Sequence, residues 1–394
     1  MSRASILLMF CLCPLLQVST ACGQEYPQGP ITPTAEVPEE PNWRAETVIE
    51  GLERPWGIAW LPNQDAMLIT ERAGRLRLVV NGELINQPVG GLPPILAHGQ
   101  GGLMDISLHP DFTNNRWVYL TLSQGTKDAN HTVLVRGVLS QDLSQLSQVQ
   151  NLFEVSQLKK GGQHFGSRLL WLADGSLLMS IGDGGNPPSS VDGKLTRLYA
   201  LDLDSHFGKT VRLTDEGESA PGNPFTDRPN AFPEVYTYGH RNIQGMDLDP
   251  ATGVIYVSEH GARGGDELNQ LQPGGNYGWP AATYSIEYWG PRISDTATMQ
   301  GTIEPMIVWT PNLAPSGLCF YTGDRYPNWK GDLFAGGLRM QQIRRIDLED
   351  GQVANETSLK FDQRVRDVRQ GPDGFMYVLT DDGNGKLLRI VPTP

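Results

Sequence analysis

Six stretches of the chain repeat one short pattern: an apolar strand, a turn of Pro, Asp, Asn or Gly, and a second apolar strand. Successive turns lie 48 to 76 residues apart. A unit of this kind can bury its apolar surface only against its neighbours, so the repeats must stack in a row or close into a ring. The six first strands with their turns are 55–64, 102–111, 166–175, 243–252, 315–324 and 365–374.

The repeats predict an all-β fold, a six-bladed β-propeller whose blades are four-stranded antiparallel sheets. The 45 Gly and 29 Pro residues, with only 19% charged residues, are typical of a chain with many tight turns. Because a blade needs about 40–50 residues, the longer intervals indicate insertions, which we place at 184–230 and 262–305. The alternative, a β-helix, needs short and regular rungs, whereas these units are long and uneven.

The first 21 residues predict an export signal, because one Arg precedes an apolar run that ends in small residues. Two outcomes stay open: cleavage after Ala21, or a lipoprotein signal ending before a lipidated Cys22. Residues 22–44 predict a Pro/Glu-rich linker, and 45–393 a single catalytic propeller domain. We therefore expect an exported protein, periplasmic or at the outer surface, which meets a membrane only through a lipid on Cys22.

The chain carries a net charge of −13. Binding to nucleic acid depends on basic patches, so an acidic protein of this composition argues against a nucleic-acid partner. A local basic cluster inside a cleft is still compatible with this charge, because it would attract a small anion.

Four polar residues precede their turns by nearly the same number of positions, eight to ten residues. In a ring of equivalent blades, equal offsets mean equal height, so these side chains should meet at one mouth of the central channel. They are Gln100, His164, Arg241 and Arg364.

His164 is predicted to lie opposite Asp183 in a hairpin that turns at 173–174, or diagonal to it if the loop shifts by one residue. A carboxylate beside an imidazole fixes its tautomer and raises its basicity, as in a general base. The alternative is a His–Asp pair that only satisfies a buried polar group.

Arg241 and Asn242 should lie near the Gly-rich backbone of 261–265. Irregular backbone can offer carbonyl oxygens to a hard cation such as Ca²⁺, and Asp266 and Glu267 can add carboxylates. The alternative is a glycine loop with a solvated acidic edge.

Arg364 and Arg366 share one strand face, because side chains alternate along a strand. Two guanidinium groups on one face repel each other unless an anion lies between them, and arginine forks suit carboxylates. Arg241 points at the same space, and Arg339 is the candidate for a fourth arginine. The alternative is a group of surface arginines paired with Asp367.

The sequence resembles the soluble PQQ-dependent aldose sugar dehydrogenases of the glucose/sorbosone dehydrogenase family. The resemblance covers nearly all of 45–393 and is most specific in three motifs: GHRN (239–242), SEHGARGGDELNQLQPGGNYGWP (258–280) and RVRD (364–367). It implies a six-bladed propeller that holds pyrroloquinoline quinone (PQQ) at the channel mouth and oxidises aldoses at C1 to lactones. Electrons would pass to an external acceptor such as a quinone, a dye or a cytochrome.

The resemblance also implies roles for individual residues. His164 would be the general base, Asp183 its support and Arg241 a further catalytic residue. The implied PQQ-binding residues are Gln100, His164, Arg241, Asn242, Arg339, Arg364 and Arg366. Ca²⁺ would be held by the backbone of Gly261 and Ala262, and a second Ca²⁺ by Glu267 and the backbone of Tyr277.

Two departures from the family pattern concern Ala262, where the glucose enzymes have Pro, and Arg339, where they have Lys. Their long insertions look absent or different here, so neither a preference for glucose nor dimerisation is expected to carry over. Two other functions stay open: a Ca²⁺-dependent propeller lactonase or esterase, and a non-catalytic carbohydrate-binding propeller.

Overall fold

The computed structural model describes residues 26–185 and 189–393, and it contains six four-stranded antiparallel sheets. The predicted all-β, six-bladed β-propeller is confirmed. Each of the six repeated stretches supplies the first strand of one sheet. The predicted export signal and Cys22 lie outside the described residues. Within the described ranges, no helix is long and apolar enough to cross a bilayer.

Blades 1 to 3 follow one another along the chain. Blade 1 contains β2 (Pro55–Trp60), β3 (Ala66–Glu71), β4 (Arg75–Val80) and β5 (Glu83–Leu84). Blade 2 contains β6 (Leu103–Leu108), β7 (Trp117–Gly125), β8 (Asn130–Leu139) and β9 (Leu146–Glu154). Blade 3 contains β10 (Leu169–Trp171), β11 (Leu177–Ile181), β14 (Lys209–Leu213) and β15 (Val235–Tyr238).

Blades 4 to 6 complete the ring. Blade 4 contains β16 (Ile243–Leu248), β17 (Ile255–Glu259), β18 (Asp266–Leu271) and β19 (Ile307–Trp309). Blade 5 contains β20 (Pro315–Phe320), β21 (Leu333–Gly337), β22 (Gln342–Glu349) and β23 (Gln352–Lys360). Blade 6 contains β24 (Val365–Gln370), β25 (Met376–Thr380), β26 (Gly385–Pro392) and β1 (Trp43–Leu52).

The remaining regular elements are short. They are helix α1 (Phe112–Asn115), the hairpin of β12 (Ser190–Val191) and β13 (Lys194–Leu195), and 3₁₀ helices at Thr196–Leu201 and Pro327–Trp329.

Strand β1 closes the ring, because it pairs antiparallel with β26 from Trp43↔Pro392 to Leu52↔Gly385. The first regular strand of the chain is thus the outer strand of the last blade. This pairing joins the first and last strands of the propeller in one sheet, so the ring is closed and no blade stands at an open end.

The core is divided among the junctions between blades. Each of the six largest hydrophobic clusters combines residues of two neighbouring blades, and together they cover all six junctions. For example, Leu68 and Ile106 share the cluster between blades 1 and 2. Because each blade buries its faces only against its neighbours, its stability depends on a complete ring.

The predicted insertions were too wide. Each contains the third strand of its blade: β14 lies within 184–230, and β18 within 262–305. Both strands are short and are bordered by Gly, Pro and Asp residues, and β18 carries mostly polar side chains. Composition alone therefore favoured loops, whereas pairing with the preceding strand makes them part of the sheet.

The segment 26–42, assigned by sequence to the linker, lies along blades 4 and 5 in an extended form. Single β-bridges join Thr34 to Trp309 and Glu39 to Ser358. The Glu40 carboxylate also accepts hydrogen bonds from Arg345 and from Thr357. This segment is therefore packed against the propeller over the part that the structure describes.

Candidate active site

His164 lies in the connection between β9 and β10, in a left-handed backbone conformation with φ 48°. It is only 2% exposed. Its backbone N–H donates to Oε1 of Gln100 at 2.8 Å, and the N–H of Gly166 donates to Oδ1 of Asn242 at 3.1 Å. The two amide side chains predicted for the site therefore hold the loop that carries His164.

The imidazole of His164 meets the carboxylate of Asp183, with Nδ1 2.6 Å from Oδ1. The contact was predicted from cross-strand pairing, but its geometry is different. The ladder pairs Leu169 with Met179 and Leu170 with Leu178, one residue away from the predicted register, and both His164 and Asp183 lie beyond its end. His164 and Asp183 therefore meet in two loops at the mouth, one before β10 and the other after β11.

Two further donors hold Asp183 in place. The indole Nε1–H of Trp279 donates to Oδ2 at 2.9 Å, and the backbone N–H of Gly185 donates to Oδ1 at 3.2 Å. Gly182 permits the close approach of the two loops, because a Cβ there would lie 2.3 Å from the backbone oxygen of His164. Asp183 is thus fixed to accept a hydrogen bond from Nδ1–H, which leaves the Nε2 lone pair of His164 for chemistry.

The pKa of His164 lies below its ordinary value. Burial is the main cause, the positive charge of Arg241 adds to it, and the Asp183 carboxylate opposes both. The imidazole is therefore neutral at pH 7, the state that a general base requires.

Arg241 continues the site towards blade 4. Its guanidinium donates to the backbone oxygens of His260 and Gly261 and lies over the Trp279 ring, 5.3 Å from the ring centroid. The Gly261 N–H in turn donates to Oδ1 of Asp266 at 2.8 Å. The glycine loop predicted near Arg241 is therefore its direct partner.

The Gly261–Ala262 backbone borders a cleft of about 330 Å³. Arg339, which is exposed, lines the same cleft, as do Asn312 and Ala314. A carbonyl oxygen carries two lone pairs, so the oxygen of Gly261 can accept from Arg241 and still bind a cation. The predicted backbone ligands and Arg339 thus share one cleft.

Glu267 faces a second acidic residue that the sequence analysis missed. In the β17–β18 ladder Glu259 lies directly opposite Glu267. Burial and the Glu259 carboxylate raise the pKa of Glu267 well above its ordinary value. Like charges in such positions are destabilising. Glu259 meets the His240 imidazole at 2.8 Å and accepts from the Arg241 backbone N–H, whereas Glu267 accepts from the Asn269 amide and has no ion-pair partner among the described residues.

The surroundings of this pair fit one cation. Glu259, Glu267, Gly265 and Tyr277 line a cavity of about 10 Å³, the size of one water molecule or ion. The buried Oδ1 of Asn269 has no hydrogen-bond partner among the described residues. In the same ranges no group of three or more His, Cys, Asp or Glu side chains is placed to hold a metal, so backbone oxygens would have to complete this site.

Arg364 and Arg366 of blade 6 face an anion, and this anion is a carboxylate of the protein itself. Asp381, which follows β25, lies 2.9 Å from Arg366, 3.5 Å from Arg364 and 3.8 Å from Arg54. Burial opposes its ionisation, yet Arg366, Arg72 and Arg364 lower the pKa of Asp381 to about 2. We call Arg54, Arg72, Arg364, Arg366 and Asp381 the arginine cluster.

The arginine cluster has four guanidinium groups for one carboxylate. Arg54 and Arg72, contributed by blade 1, were not predicted. Burial lowers the pKa of Arg72, and the positive charges of the other three arginines lower it further, while the Asp381 carboxylate opposes both effects. An excess of positive charge at a channel mouth favours the binding of a further anion, and a polycarboxylate suits arginine forks.

Gln244 joins the arginine cluster to the loop that carries His164. Its Oε1 accepts from Arg366 at 3.4 Å, and its Nε2 donates to the Gly166 oxygen at 2.9 Å. The sequence-predicted residues from blades 3, 4 and 6 are therefore connected around one mouth. The ring of Tyr277 is stacked on that of His240.

A network of charges fills the channel on the inner strands. Arg168 lies 3.2 Å from Asp105 and 3.0 Å from Asp367, and Arg369 lies 3.3 Å and 3.1 Å from the same two carboxylates. We call these four residues the channel network. Arg168 is 1% exposed and also donates to the Gln244 backbone oxygen. The alternative interpretation, in which Arg364 and Arg366 pair with Asp367, is therefore wrong: Asp367 is buried and pairs with Arg168 and Arg369.

A family model described as Glucose / Sorbosone dehydrogenase matches residues 52–389. The chain is 39% identical over 352 residues to aldose sugar dehydrogenase YliI of Escherichia coli K12, covering 88% of this chain and 92% of that protein. The apo structure of the soluble E. coli aldose sugar dehydrogenase has a TM-score of 0.84 at 38% identity, covering 89% and 99%. The PQQ-bound form of aldose sugar dehydrogenase from Streptomyces coelicolor has a TM-score of 0.72 at 27% identity, covering 91% and 99%.

We predict that Arg168→Met destabilises the protein by about 3–5 kcal/mol, because two buried carboxylates would lose their shared partner. The free energy of unfolding measured in urea checks this. Arg44→Ala, which removes an exposed pair with Glu46, should cost far less, because solvent screens such a pair. Equal losses in the two variants would contradict the importance of the channel network.

Proposed function

The chain belongs to the glucose/sorbosone dehydrogenase family, and we propose that it is a PQQ-dependent aldose sugar dehydrogenase that oxidises the C1 hydroxyl of aldoses to lactones. One observation carries the proposal: a single channel mouth holds a neutral imidazole oriented by a carboxylate and, connected to it, an excess of guanidinium charge. The similarity to a PQQ-bound aldose sugar dehydrogenase supports the choice of cofactor.

The residues at the mouth fit the carboxylates of PQQ. Arg364 and Arg366 would hold them, with Arg54 and Arg72 adding positive charge from blade 1. Arg241, Asn242, Gln100 and Arg339 border the same space, as the resemblance implies. The positive excess of the arginine cluster is the observation that supports this fit, because Asp381 neutralises only one of its four arginines.

We propose that Ca²⁺ binds in two places. The oxygens of Gly261 and Ala262 would hold one ion in the cleft, and Glu267 with the Tyr277 backbone and the newly identified Glu259 would hold the other. PQQ, when bound, would supply the acceptor for the hydride of the sugar C1, and Ca²⁺ would supply Lewis-acid chemistry beside it.

The protein's own part in the reaction is proton transfer. Nε2 of His164 accepts the proton of the anomeric hydroxyl, while Nδ1–H keeps its hydrogen bond to Asp183. The carboxylate then stabilises the imidazolium that forms, and the Trp279 indole keeps Asp183 from turning away. Arg241 opposes the imidazolium, which favours the later release of the proton.

The electrons would leave to an external acceptor, a quinone, a dye or a cytochrome. We also propose that the protein is exported, on the strength of its N-terminal signal pattern, with or without a lipid on Cys22.

Reconstitution tests the function directly. We expect the metal-free apoprotein, loaded with PQQ and Ca²⁺, to reduce a dye when given aldoses and to release the corresponding lactones. The same preparation is assayed for hydrolysis of lactones and esters. Hydrolysis without dye reduction would favour the lactonase alternative, and sugar binding without either reaction would favour the non-catalytic one.

We expect His164→Ala to retain PQQ and to lose about 10²–10⁴-fold in kcat, the range typical of a general base. Asp183→Asn should lose a similar factor, because the wrong tautomer is then held. In the wild type, kcat/KM should fall only as the pH drops below the ordinary His pKa of 6.5, since burial lowers the pKa of His164. Turnover surviving in loaded His164→Ala would show that another group is the base.

Loss of an arginine should weaken cofactor retention rather than proton transfer. We predict that Arg366→Ala and Arg72→Ala each raise the Kd for PQQ at least tenfold, measured by equilibrium dialysis at fixed salt. Arg228→Ala, an exposed arginine outside the cluster, serves as the matched control. An unchanged Kd in Arg72→Ala would remove blade 1 from the binding site.

A further inference from the structure

The chain exposes two adjacent aromatic side chains on a turn next to the cleft of Gly261 and Ala262. Six large apolar residues are well exposed in the described ranges, and Tyr288 at 49% and Trp289 at 64% are the only neighbouring pair among them. Exposed aromatic rings of this kind are more typical of a binding surface than of a solvated loop.

The turn that carries these rings is firmly held. The Glu287 N–H donates to the Pro291 oxygen at 2.8 Å, and the Gly290 N–H donates to the Glu287 oxygen at 3.0 Å. The Glu287 side chain, 5% exposed, pairs with Arg197 of the blade 3 insertion at 2.7 Å. Both insertions therefore meet beneath the turn, and the rings are presented on a rigid support.

The turn also adjoins the proposed active site. Tyr288 lines the same cleft as Gly261, Ala262 and Arg339. Backbone hydrogen bonds in both directions between Arg263 and Ile286 join the turn to the glycine loop. The distance from the glycine loop to the rings is thus set by backbone contacts.

The exposed area favours a sugar ring over a protein partner. The exposed parts of one Trp and one Tyr amount to roughly 250 Å², given the 150–250 Å² that each ring can bury. A stable protein interface needs about 800 Å² on each side. One pyranose ring, with an apolar C–H face and hydroxyls at its edge, matches an aromatic surface beside a polar cleft.

We propose that Tyr288 and Trp289 form a carbohydrate subsite that holds the sugar unit next to the one being oxidised. This inference rests on the proposed function and deepens it: the substrates are disaccharides or longer oligosaccharides that enter with their reducing end towards His164. Trp289 supplies the stacking face, and Tyr288 links it to the cleft.

The test compares sugars that share a reducing-end unit. In the holoenzyme we expect Trp289→Ala to lower kcat/KM for maltose or cellobiose about tenfold and to leave glucose within twofold. Trp289→Phe should retain most of the disaccharide activity, because a ring is kept. Leu158→Ala, which removes another exposed apolar side chain, is the matched control and should change neither.

A second measurement separates this inference from the proposed function. Binding of maltotriose, followed by calorimetry with the same variants, should be weakened at least fivefold in Trp289→Ala whether or not the enzyme turns over. Parallel changes for glucose and disaccharides, or unchanged trisaccharide binding, would overturn the subsite. A defect confined to reduction of a protein acceptor would overturn it too and assign the rings to acceptor docking.

Discussion

The channel network is the constraint on which the rest of the structure depends. Arg168 of blade 3 is shared by Asp105 of blade 2 and Asp367 of blade 6, and Arg369 bonds to the same two carboxylates. Buried charges of this kind are tolerated only when each has its partners, so the inner strands must keep one relative height. That height decides which residues reach the mouth.

Contacts lead directly from the channel network to the site. The indole of Trp56 lies 4.5 Å from the guanidinium of Arg168 and 5.9 Å from that of Arg366. Gln244 accepts from Arg168 through its backbone oxygen, and its side chain joins Arg366 to the His164 loop. The same enclosure that holds these groups removes water from His164, and this lowers its pKa. Burial beside fixed charges therefore both holds the loop that carries His164 and lowers the pKa of His164.

Much of the fold and part of the site followed from local patterns. Six turn signals predicted six blades, and equal offsets brought His164, Arg241 and Arg364 to one mouth. The sequence contains a further repeat, from which only Asp183 was predicted. An acidic residue ends or closely follows the second strand of four blades, at Glu71, Asp183, Glu259 and Asp381. This repeat would have identified Glu259 and Asp381 as residues of the mouth, because equivalent positions in a ring have equivalent height.

The sequence by itself determined the number of blades, the residues of the inner strands and the side chains that gather at the mouth, because repeats and offsets are properties of the chain alone. Only the tertiary structure decided what each side chain contacts. Gln100 and Asn242 hold a loop, Asp381 supplies the anion between two arginines, and Arg54 and Arg72 arrive from blade 1. Such contacts join blades that are far apart in sequence, and their geometry exists only once the ring has closed and water has been excluded.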